Sequence, residues 1–346
     1  MKFSWIVFLC FLSVNVLAQK TGRPVSRVVL VIHGGAGVLE RGKLDPLRER
    51  EALDALNRAL DKGYSILDSG GSALDAVEQV VRVLEDDPSF NAGRGAVFTA
   101  EGRHELDASI MNGKTLAAGA VAGVTTIRNP ISAARAVMEK SPHVMLSGRG
   151  AEEFARMRGL QQVDNTYFSV EDRRKSWQQQ RRRDSLATLK DSSGKKTSYI
   201  LAPGEKFGTV GAVALDANGN LAAATSTGGM SNKKFGRIGD SPLIGAGTYA
   251  DNKTAAISCT GWGEYFIRLV IAKSVCDRME LGHESLEKAA DKLINEKLPG
   301  LGGDGGLIAV DKDGNIAMPF STPGMFRGYL RRDATGMQRQ VAIYKE

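Results

Sequence analysis

Three threonines carry the chemistry this sequence can be read for. Thr209 opens the apolar run 209–215, Thr227 closes the run 221–227, and Thr260 begins Thr260-Gly261-Trp262-Gly263-Glu264. A threonine hydroxyl is a weak nucleophile until a base takes its proton, and none of the four histidines (His33, His104, His143, His283) is near Thr209 in sequence. Cleavage of Gly208–Thr209 would place a free α-amine on that same residue, and such an amine titrates at about 7.7–8.0, close to working pH. The position suits a self-cut, because a long polar segment ends there and an apolar strand begins. Taken singly, each threonine is an ordinary strand residue. Their surroundings are not ordinary: Gly208, Gly228, Gly229 and Gly261 strip side chains from around the proposed nucleophile, which leaves room for a substrate and a strained scissile bond.

Recognition needs charge, and Gly236-Arg237-Ile238-Gly239-Asp240 supplies a guanidinium and a carboxylate on a glycine-rich loop. They suit the α-carboxylate and α-ammonium of an amino acid, and would serve equally as a structural ion pair. Thr260-Gly261 ahead of a helix offers backbone N–H groups to a developing oxyanion, or simply starts the helix. Other chemistries fit poorly. His33-Gly34-Gly35-Ala36-Gly37 lacks the dinucleotide GxGxxG spacing, and no GxxxxGK[ST] occurs. Its glycines are expected to permit a tight turn that brings backbone close to the site. Scattered histidines and the lack of a CxxC argue against a transition-metal site.

The positioning elements follow from pattern. A strand, 27–32, leads into the glycine run, and helices follow near 46–67 and 72–85, the second opened by the capping-box pattern Ser72-Ala73-Leu74-Asp75. A strand is expected over 117–126, and helices near 131–140 and 151–157. Runs 209–215 and 221–227 flank Asp216-Ala217-Asn218-Gly219-Asn220, a hairpin that returns Thr227 to Thr209. A second hairpin pairs 306–310 with 315–320, and helices near 263–280 and 285–296 lie between the two. Apolar antiparallel strands need cover on both faces, so sheets inside and helices outside are expected.

At 346 residues and 42% hydrophobic, the chain can bury a full core. Ten Lys and Arg against three acids between Arg173 and Lys206 hold the whole net charge of +7. That run has no apolar periodicity, so it reads as a solvated spacer and not as a nucleic-acid surface. Residues 1–18 pair Lys2 with an apolar run and end in Val16-Leu17-Ala18, which reads as a cleaved signal peptide that leaves Gln19 first and no stable membrane anchor. Export to the periplasm or the medium is the expectation. Cys10 falls in that peptide, and Cys259 and Cys276 are expected as buried free thiols.

From about Val28 to its end the chain resembles the plant-type asparaginase and isoaspartyl peptidase branch of the N-terminal-nucleophile hydrolases. The motifs, in order, are Ile32-His33-Gly34-Gly35-Ala36-Gly37, Phe90-Asn91-Ala92-Gly93-Arg94-Gly95-Ala96-Val97-Phe98-Thr99, His104-Glu105-Leu106-Asp107-Ala108-Ser109-Ile110-Met111, Gly208-Thr209-Val210-Gly211-Ala212-Val213, Thr225-Ser226-Thr227-Gly228-Gly229-Met230, Gly236-Arg237-Ile238-Gly239-Asp240 and Thr260-Gly261-Trp262-Gly263-Glu264. The resemblance implies an α+β fold, a four-layer αββα sandwich. It implies one domain, 19–346, self-cleaved into 19–208 and 209–346, with a polar flexible segment at about 158–207.

The implied activity is hydrolysis of isoaspartyl dipeptides and L-asparagine. Thr209 is implied as nucleophile, Thr227 as the hydroxyl that orients it, and Thr260 and Gly261 as the oxyanion hole, with Asn91 approaching the nucleophile. Arg237, Ile238, Gly239 and Asp240, with Thr260, Gly261, Trp262 and Gly263, are implied to bind the substrate. The resemblance implies no cofactor for catalysis, a structural sodium ion on the backbone of Leu84, Glu85, Asp87, Phe90, Ala92 and Arg94, and a homodimer of cleaved protomers. Glycosylasparaginase activity and an inactive amino-acid-binding protein on the same fold are the alternatives. Phe207-Gly208 before the threonine, where glycosylasparaginases carry His-Asp, favours the dipeptidase branch. The bulk of Trp262 beside the oxyanion residues bears on the leaving group, and 158–207 shares little with relatives beyond length and polarity.

Overall fold

The alternation of Val28, Leu30 and Ile32 with Val29 and Val31 puts apolar side chains on both faces of the first strand, and every one is buried. Such a strand belongs in the middle of a covered sheet. The computed structural model describes residues 27–190, 208–334 and 336–345, apart from the side chains of 184–190. The expected signal peptide, 1–18, and the end of the polar segment, 191–207, lie outside them. In chain order the elements are β1 Val28–Gly37, α1 Pro46–Asp68, α2 Ala73–Asp86, β2 Leu106–Asn112, β3 Ala118–Val124, α3 Pro130–Lys140, β4 Met145–Ser147, α4 Gly148–Met157 and α5 Glu171–Lys190. Then come β5 Val210–Leu215, β6 Leu221–Thr227, β7 Thr248–Ala250, β8 Ala255–Gly261, α6 Gly263–Leu269, α7 Ile271–Glu280, α8 Leu286–Asp291, β9 Gly305–Asp311, β10 Ile316–Ala317, β11 Gly324–Asp333 and β12 Gly336–Tyr344.

Among the described residues the strands form an eight-stranded sheet, β12-β11-β1-β5-β6-β2-β3-β4, and a four-stranded sheet, β10-β9-β8-β7. One face of the larger sheet takes α1, α2 and α3 over a core that includes Leu30, Ile32, Leu56, Val80, Ala212 and Ala224. Its other face meets the smaller sheet through Val29, Val31, Val213, Ile308 and Val310. Ile257, Leu307, Val275 and Leu286 then join the smaller sheet to α7 and α8. The result is the expected four-layer sandwich, helix, sheet, sheet, helix. No helix among the described residues is long and apolar enough to cross a membrane. Cys259 and Cys276 are buried and unpaired, as expected.

Both hairpins close on an aspartate that gathers backbone N–H groups. Asp216 Oδ1 accepts from Asn218 and Asn220, at 2.9 and 3.0 Å, and its Oδ2 accepts from Ala73 N at the start of α2. Asp311 Oδ1 accepts from Asp313 and Asn315 in the same way. At the head of α2 the expected cap is present, with Ser72 Oγ accepting from Asp75 N at 3.1 Å. The Ser72 hydroxyl in turn donates to Asp75 Oδ2 at 2.6 Å.

Three expectations change. The helix read over 263–280 is two helices, broken at Val270, which takes a left-handed conformation at φ 46°. The N–H groups of Ala272 and Lys273 bond Ala246 O and Gly245 O, so the loop before β7 claims the start of α7. The helix read over 285–296 is α8 followed by a π turn, Lys292–Lys297. The third change is in the basic segment, where the absence of apolar periodicity hid a helix, α5. Trp177 stacks on Phe98 at 5.4 Å between ring centres, Ser231 donates to Gln180 at 2.9 Å, and Arg48 pairs with Asp172. One aromatic ring and a few polar clips dock the helix, and they leave no apolar stripe in its sequence.

This docking sets an order of stability effects. Arg181 lies over the Trp177 ring at 5.0 Å, a contact whose loss at an exposed site costs about 0.5–1 kcal/mol, so replacing Arg181, Arg182 and Arg183 together by Ser is expected to lower Tm slightly. Trp177→Ala removes the stack and the buried ring, at about 1–3 kcal/mol. Trp177→Phe should retain most of it, because the buried indole N–H has no hydrogen-bond partner among the described residues. Equal melting temperatures for Trp177→Ala and the triple replacement would show that the ring does not hold the helix.

Candidate active site

Thr209 immediately precedes β5, and β5 pairs with β6 so that Val210 faces Ser226, which sets Thr209 opposite Thr227. The Thr209 hydroxyl donates to Thr227 Oγ1 at 3.2 Å, and Thr227 Oγ1 also accepts from Gly229 N at 3.0 Å. Ser241 Oγ stands 3.5 Å from Thr209 Oγ1. Three hydroxyls thus meet in a site where Thr209 is only 7% exposed.

Gly208, which precedes the expected cut, is wedged. A Cβ on it would lie 2.4 Å from Thr260 Oγ1, 2.5 Å from Gly35 Cα and 2.6 Å from Ala36 N. Gly35, at φ +115°, is equally constrained, since its own Cβ would meet Gly208 Cα at 2.8 Å. The glycine run after His33 does bring backbone to the site, but as a bulged continuation of β1 and not as a tight turn. Thr260 ends up beside Gly208 through its hydroxyl, which accepts from Ala36 N at 3.2 Å. The N–H of Trp262, the residue that follows Thr260-Gly261, is taken by Asp304 O at 3.0 Å.

Arg237 and Asp240 both reach the pocket, but not as each other's main partner. Arg237 places Nε and Nη2 on Glu264, at 2.9 and 2.8 Å. Burial works against its charge, yet this pairing outweighs it and holds its pKa above the usual arginine value. Gly239 and Gly263 make room for it: a Cβ on either would lie 2.8 Å from a guanidinium nitrogen. Asp240 is buried, and its Oδ2 has no hydrogen-bond partner among the described residues. Burial pushes its carboxyl up to about 7, against the pull of Arg237. A buried carboxylate with one oxygen unanswered beside a cavity is poised for a cation.

The cavity encloses about 640 Å³, including its open mouth. Its wall carries Gly208, Thr209, Thr227, Arg237, Gly239, Asp240, Gly261 and Trp262 from the sequence reading, together with Ala36, Gly37, Val38, Gly229, Met230, Ser241, Asp304 and Thr322. Ile238, Thr260, Gly263 and Asn91 are not on that wall. The Ile238 side chain is exposed, and Gly263 backs the Arg237 and Asp240 side chains. Asn91 acts as a clip: its Nδ2 donates to Gly229 O at 2.7 Å and its Oδ1 accepts from Val97 N at 3.0 Å. It therefore ties the loop after α2 to the loop after β6.

Sequence reasoning missed Ser241, although it directly follows Asp240 in the quoted loop. It also missed a buried hydroxyl chain between the sheets. His33 Nε2 meets Ser258 Oγ at 2.9 Å, Ser258 meets Thr225 at 2.7 Å, Thr248 donates to Thr225 at 2.5 Å, and Ser109 bonds both Thr248 and Ser241 O. Burial drops the His33 pKa to about 3, so the ring is neutral in this chain. The residues involved sit on different strands, which no spacing rule connects. Glu264 was visible in the last motif, but nothing in the sequence marked it as the partner of Arg237.

Residues 26–339 match the asparaginase family. The chain belongs to the asparaginase family. Among relatives, it is 52% identical over 322 residues to the isoaspartyl peptidase of Escherichia coli, covering 93% of this chain and 98% of that protein. It is 42% identical over 321 residues to the isoaspartyl peptidase/L-asparaginase of Xenopus laevis, at 91% and 95% coverage. The plant-type L-asparaginase of Pyrococcus furiosus is 44% identical over 307 residues, at 88% and 96%. This asparaginase-family chain therefore shares about nine-tenths of its length with proteins from a bacterium, an animal and an archaeon.

The asparaginase family resemblance also implied a sodium ion on the loop after α2. Of the six carbonyls expected to hold it, that of Phe90 turns with that of Pro88 toward Gly95, where an added Cβ would meet both oxygens at 2.6 Å. Glu85 O already accepts from Arg94 N at 2.7 Å, which closes the loop on itself. The Glu85 side chain points elsewhere, accepting from Ser226 Oγ and Ile131 N at 2.7 and 3.0 Å, and burial raises its pKa to about 8.

Proposed function

We propose that this chain is a self-cleaving threonine hydrolase of β-aspartyl amides, acting on isoaspartyl dipeptides and on L-asparagine. The observation that carries the reading is the placement of Thr209, with its hydroxyl on Thr227, on the wall of the pocket that also holds Arg237 and the unanswered carboxylate of Asp240. The names of the relatives, isoaspartyl peptidase and L-asparaginase, favour these substrates over a glycosylated asparagine or a role confined to binding.

In this reading Thr209 Oγ1 first attacks the Gly208 carbonyl, and an N-to-O acyl shift followed by water leaves two pieces, 19–208 and 209–346. The new Thr209 amine then takes the hydroxyl proton as Oγ1 attacks the side-chain carbonyl of the substrate. The amine returns that proton to the departing nitrogen. Water, activated by the same amine, cleaves the aspartyl ester and releases aspartate. Arg237 holds the substrate carboxylate and Asp240 its ammonium. Backbone donors near Gly261 and the Thr260 hydroxyl stabilise the oxyanion. A sodium ion held by the carbonyls of Leu84, Glu85, Asp87, Phe90, Ala92 and Arg94 would fix the loop that Asn91 clips to Gly229. The mature enzyme is an exported homodimer of cleaved protomers, the export resting on the pattern of residues 1–18.

Denaturing electrophoresis of purified protein, with N-terminal sequencing of the smaller piece, tests the cut, and release of aspartate from isoaspartyl-leucine tests the activity. An intact chain after long incubation, or a cut chain inert on both substrates, would sink the proposal.

Trp262 is expected to grade leaving groups. It lines the pocket, with its ring edge-on to Tyr265 at 5.1 Å. An apolar wall of this size discriminates by roughly 1–3 kcal/mol, or tenfold to a hundredfold. Trp262→Gly should narrow the kcat/KM ratio of isoaspartyl-leucine to isoaspartyl-glycine far more than it slows asparagine hydrolysis, since ammonia is too small to reach the ring. An unchanged ratio would place the ring outside the leaving-group path.

A further inference from the structure

We infer that Arg173 binds the α-carboxylate of the leaving residue of an isoaspartyl dipeptide, in a subsite that opens when Gly208 is released; this rests on the self-cleaving β-aspartyl hydrolase reading. Two cavities meet at Gly208. One is the pocket that holds Thr209. The other is a narrow cleft of about 230 Å³ including its open mouth, bounded by Phe90, Asn91 and Arg173, and shares Ala36, Gly37 and Gly208 with the first. Of the shared wall, Gly208 is the part that cleavage frees, because its bond to Thr209 is the one cut. Where it stands now, it fills the gap between Gly35 and the Thr260 hydroxyl so tightly that no side chain would fit.

The chemistry fixes the direction of the leaving group. The Thr209 amine has to hand its proton to the departing nitrogen, so that nitrogen must lie within hydrogen-bond reach of the amine. In the uncut chain the Gly208 carbonyl carbon occupies that side of the Thr209 nitrogen. A leaving residue therefore extends into the volume that Gly208 vacates, and its free carboxylate needs a cation there.

Arg173 is a cation on the wall of that chamber. The residue as a whole is half-buried. Burial, with Arg48 nearby, draws its pKa down to about 10, while Asp172 pulls the other way. Its Nε donates to Gly95 O at 3.1 Å, which fixes the head group against the loop after α2. Held in place and largely desolvated, a planar guanidinium makes strong hydrogen bonds to a carboxylate. The side chain of the leaving residue then faces Trp262 while its carboxylate turns to Arg173. Ammonia from asparagine has no carboxylate to offer, so Arg173 separates the two substrate classes.

The test uses purified, cleaved protein and three substrates: isoaspartyl-leucine, isoaspartyl-leucinamide, whose carboxylate is capped, and asparagine. The wild-type enzyme should prefer the acid over the amide by about tenfold to a hundredfold in kcat/KM. Arg173→Gln should erase that preference and lower the isoaspartyl-leucine to asparagine ratio by the same factor, and Arg173→Lys should restore part of it. Ratios taken on one sample do not depend on how much of a variant is folded. Equal wild-type rates on acid and amide would overturn the inference, as would an Arg173→Gln enzyme that keeps the wild-type acid-to-amide ratio. A wild-type chain that is uncut, or inert on isoaspartyl-leucine while the amide is also inert, would instead overturn the functional reading on which it rests.

Discussion

Thr209→Ala is expected to run as one piece on a denaturing gel and to hydrolyse neither isoaspartyl-leucine nor asparagine, with kcat lower by roughly 10⁴-fold or more. The substitution removes the hydroxyl proposed to attack Gly208, so the amine proposed as base would never be released. One deletion thus abolishes both the nucleophile and the step that creates its base. Packing should survive, because the side chain lost is small and its hydrogen bond goes to another hydroxyl, on Thr227. Thr209→Ser keeps the hydroxyl but loses the β-methyl that stiffens χ1, so it should cut slowly and then turn over at a reduced rate. Cleavage between residues 208 and 209 in the alanine variant would mean that another group attacks the bond.

The second large effect is expected at Asp240. Replacing it with Asn removes the negative charge that would meet the substrate ammonium in a buried setting, where breaking such a pair costs about 3–5 kcal/mol; kcat/KM should fall about a hundredfold or more. Its pH behaviour is more diagnostic. With its carboxyl at about 7, Asp240 is protonated in acid and cannot pair with an ammonium. Wild-type kcat/KM should therefore rise through pH 7 as this proton leaves, and rise again as the Thr209 amine, ordinarily near 7.7–8.0, becomes neutral. On a logarithmic plot below pH 7 the wild type should approach a slope of two and Asp240→Asn a slope of one. Identical slopes would show that Asp240 does not titrate in the free enzyme.

Stability should move in the opposite sense. The folded-state pKa of Asp240 lies above its unfolded value, so between about pH 4 and 7 the folded state holds more protons and loses stability as the pH rises. At pH 8 Asp240→Asn should melt higher than the wild type while being the poorer enzyme.

Much of this could be read from the chain, and the limits have physical causes. The strands around Thr209 and Thr227 were legible because their turn residues, Asp216 through Asn220, force a hairpin whatever the tertiary context. Arg237 and Asp240 were legible as a charged pair on a glycine-rich loop, but not the diversion of the guanidinium to Glu264, which depends on how α6 packs. The break at Val270 was invisible because helical periodicity continues across it; the cause is a loop from elsewhere that takes the first N–H groups of α7. Helix α5 escaped because one ring, Trp177, and a few polar clips anchor it, and so scattered a set of contacts leaves no periodic trace. The C-terminal strands β11 and β12 were also passed over, since charged residues at Arg331, Arg332 and Arg339 interrupt any apolar alternation near an edge. The chain from His33 through Ser258, Thr225 and Thr248 to Ser109 joins five strands and could only be seen in three dimensions.

The order of the larger sheet has a consequence for how the protein survives damage. β1 lies between β11 and β5, while β6 borders β2, so strands from before and after residue 208 alternate within one hydrogen-bonded layer. A cut there severs the polypeptide without separating its halves, since neither can leave unless the sheet comes apart. Assembly, however, changes its molecularity. The uncut chain closes this layer as a unimolecular reaction, whereas two severed pieces must find each other in solution, at a rate that falls with dilution. If the chain is cut as proposed, a molecule that has once been fully unfolded becomes a pair of partners in search of each other, and its working life is set by how seldom the layer opens.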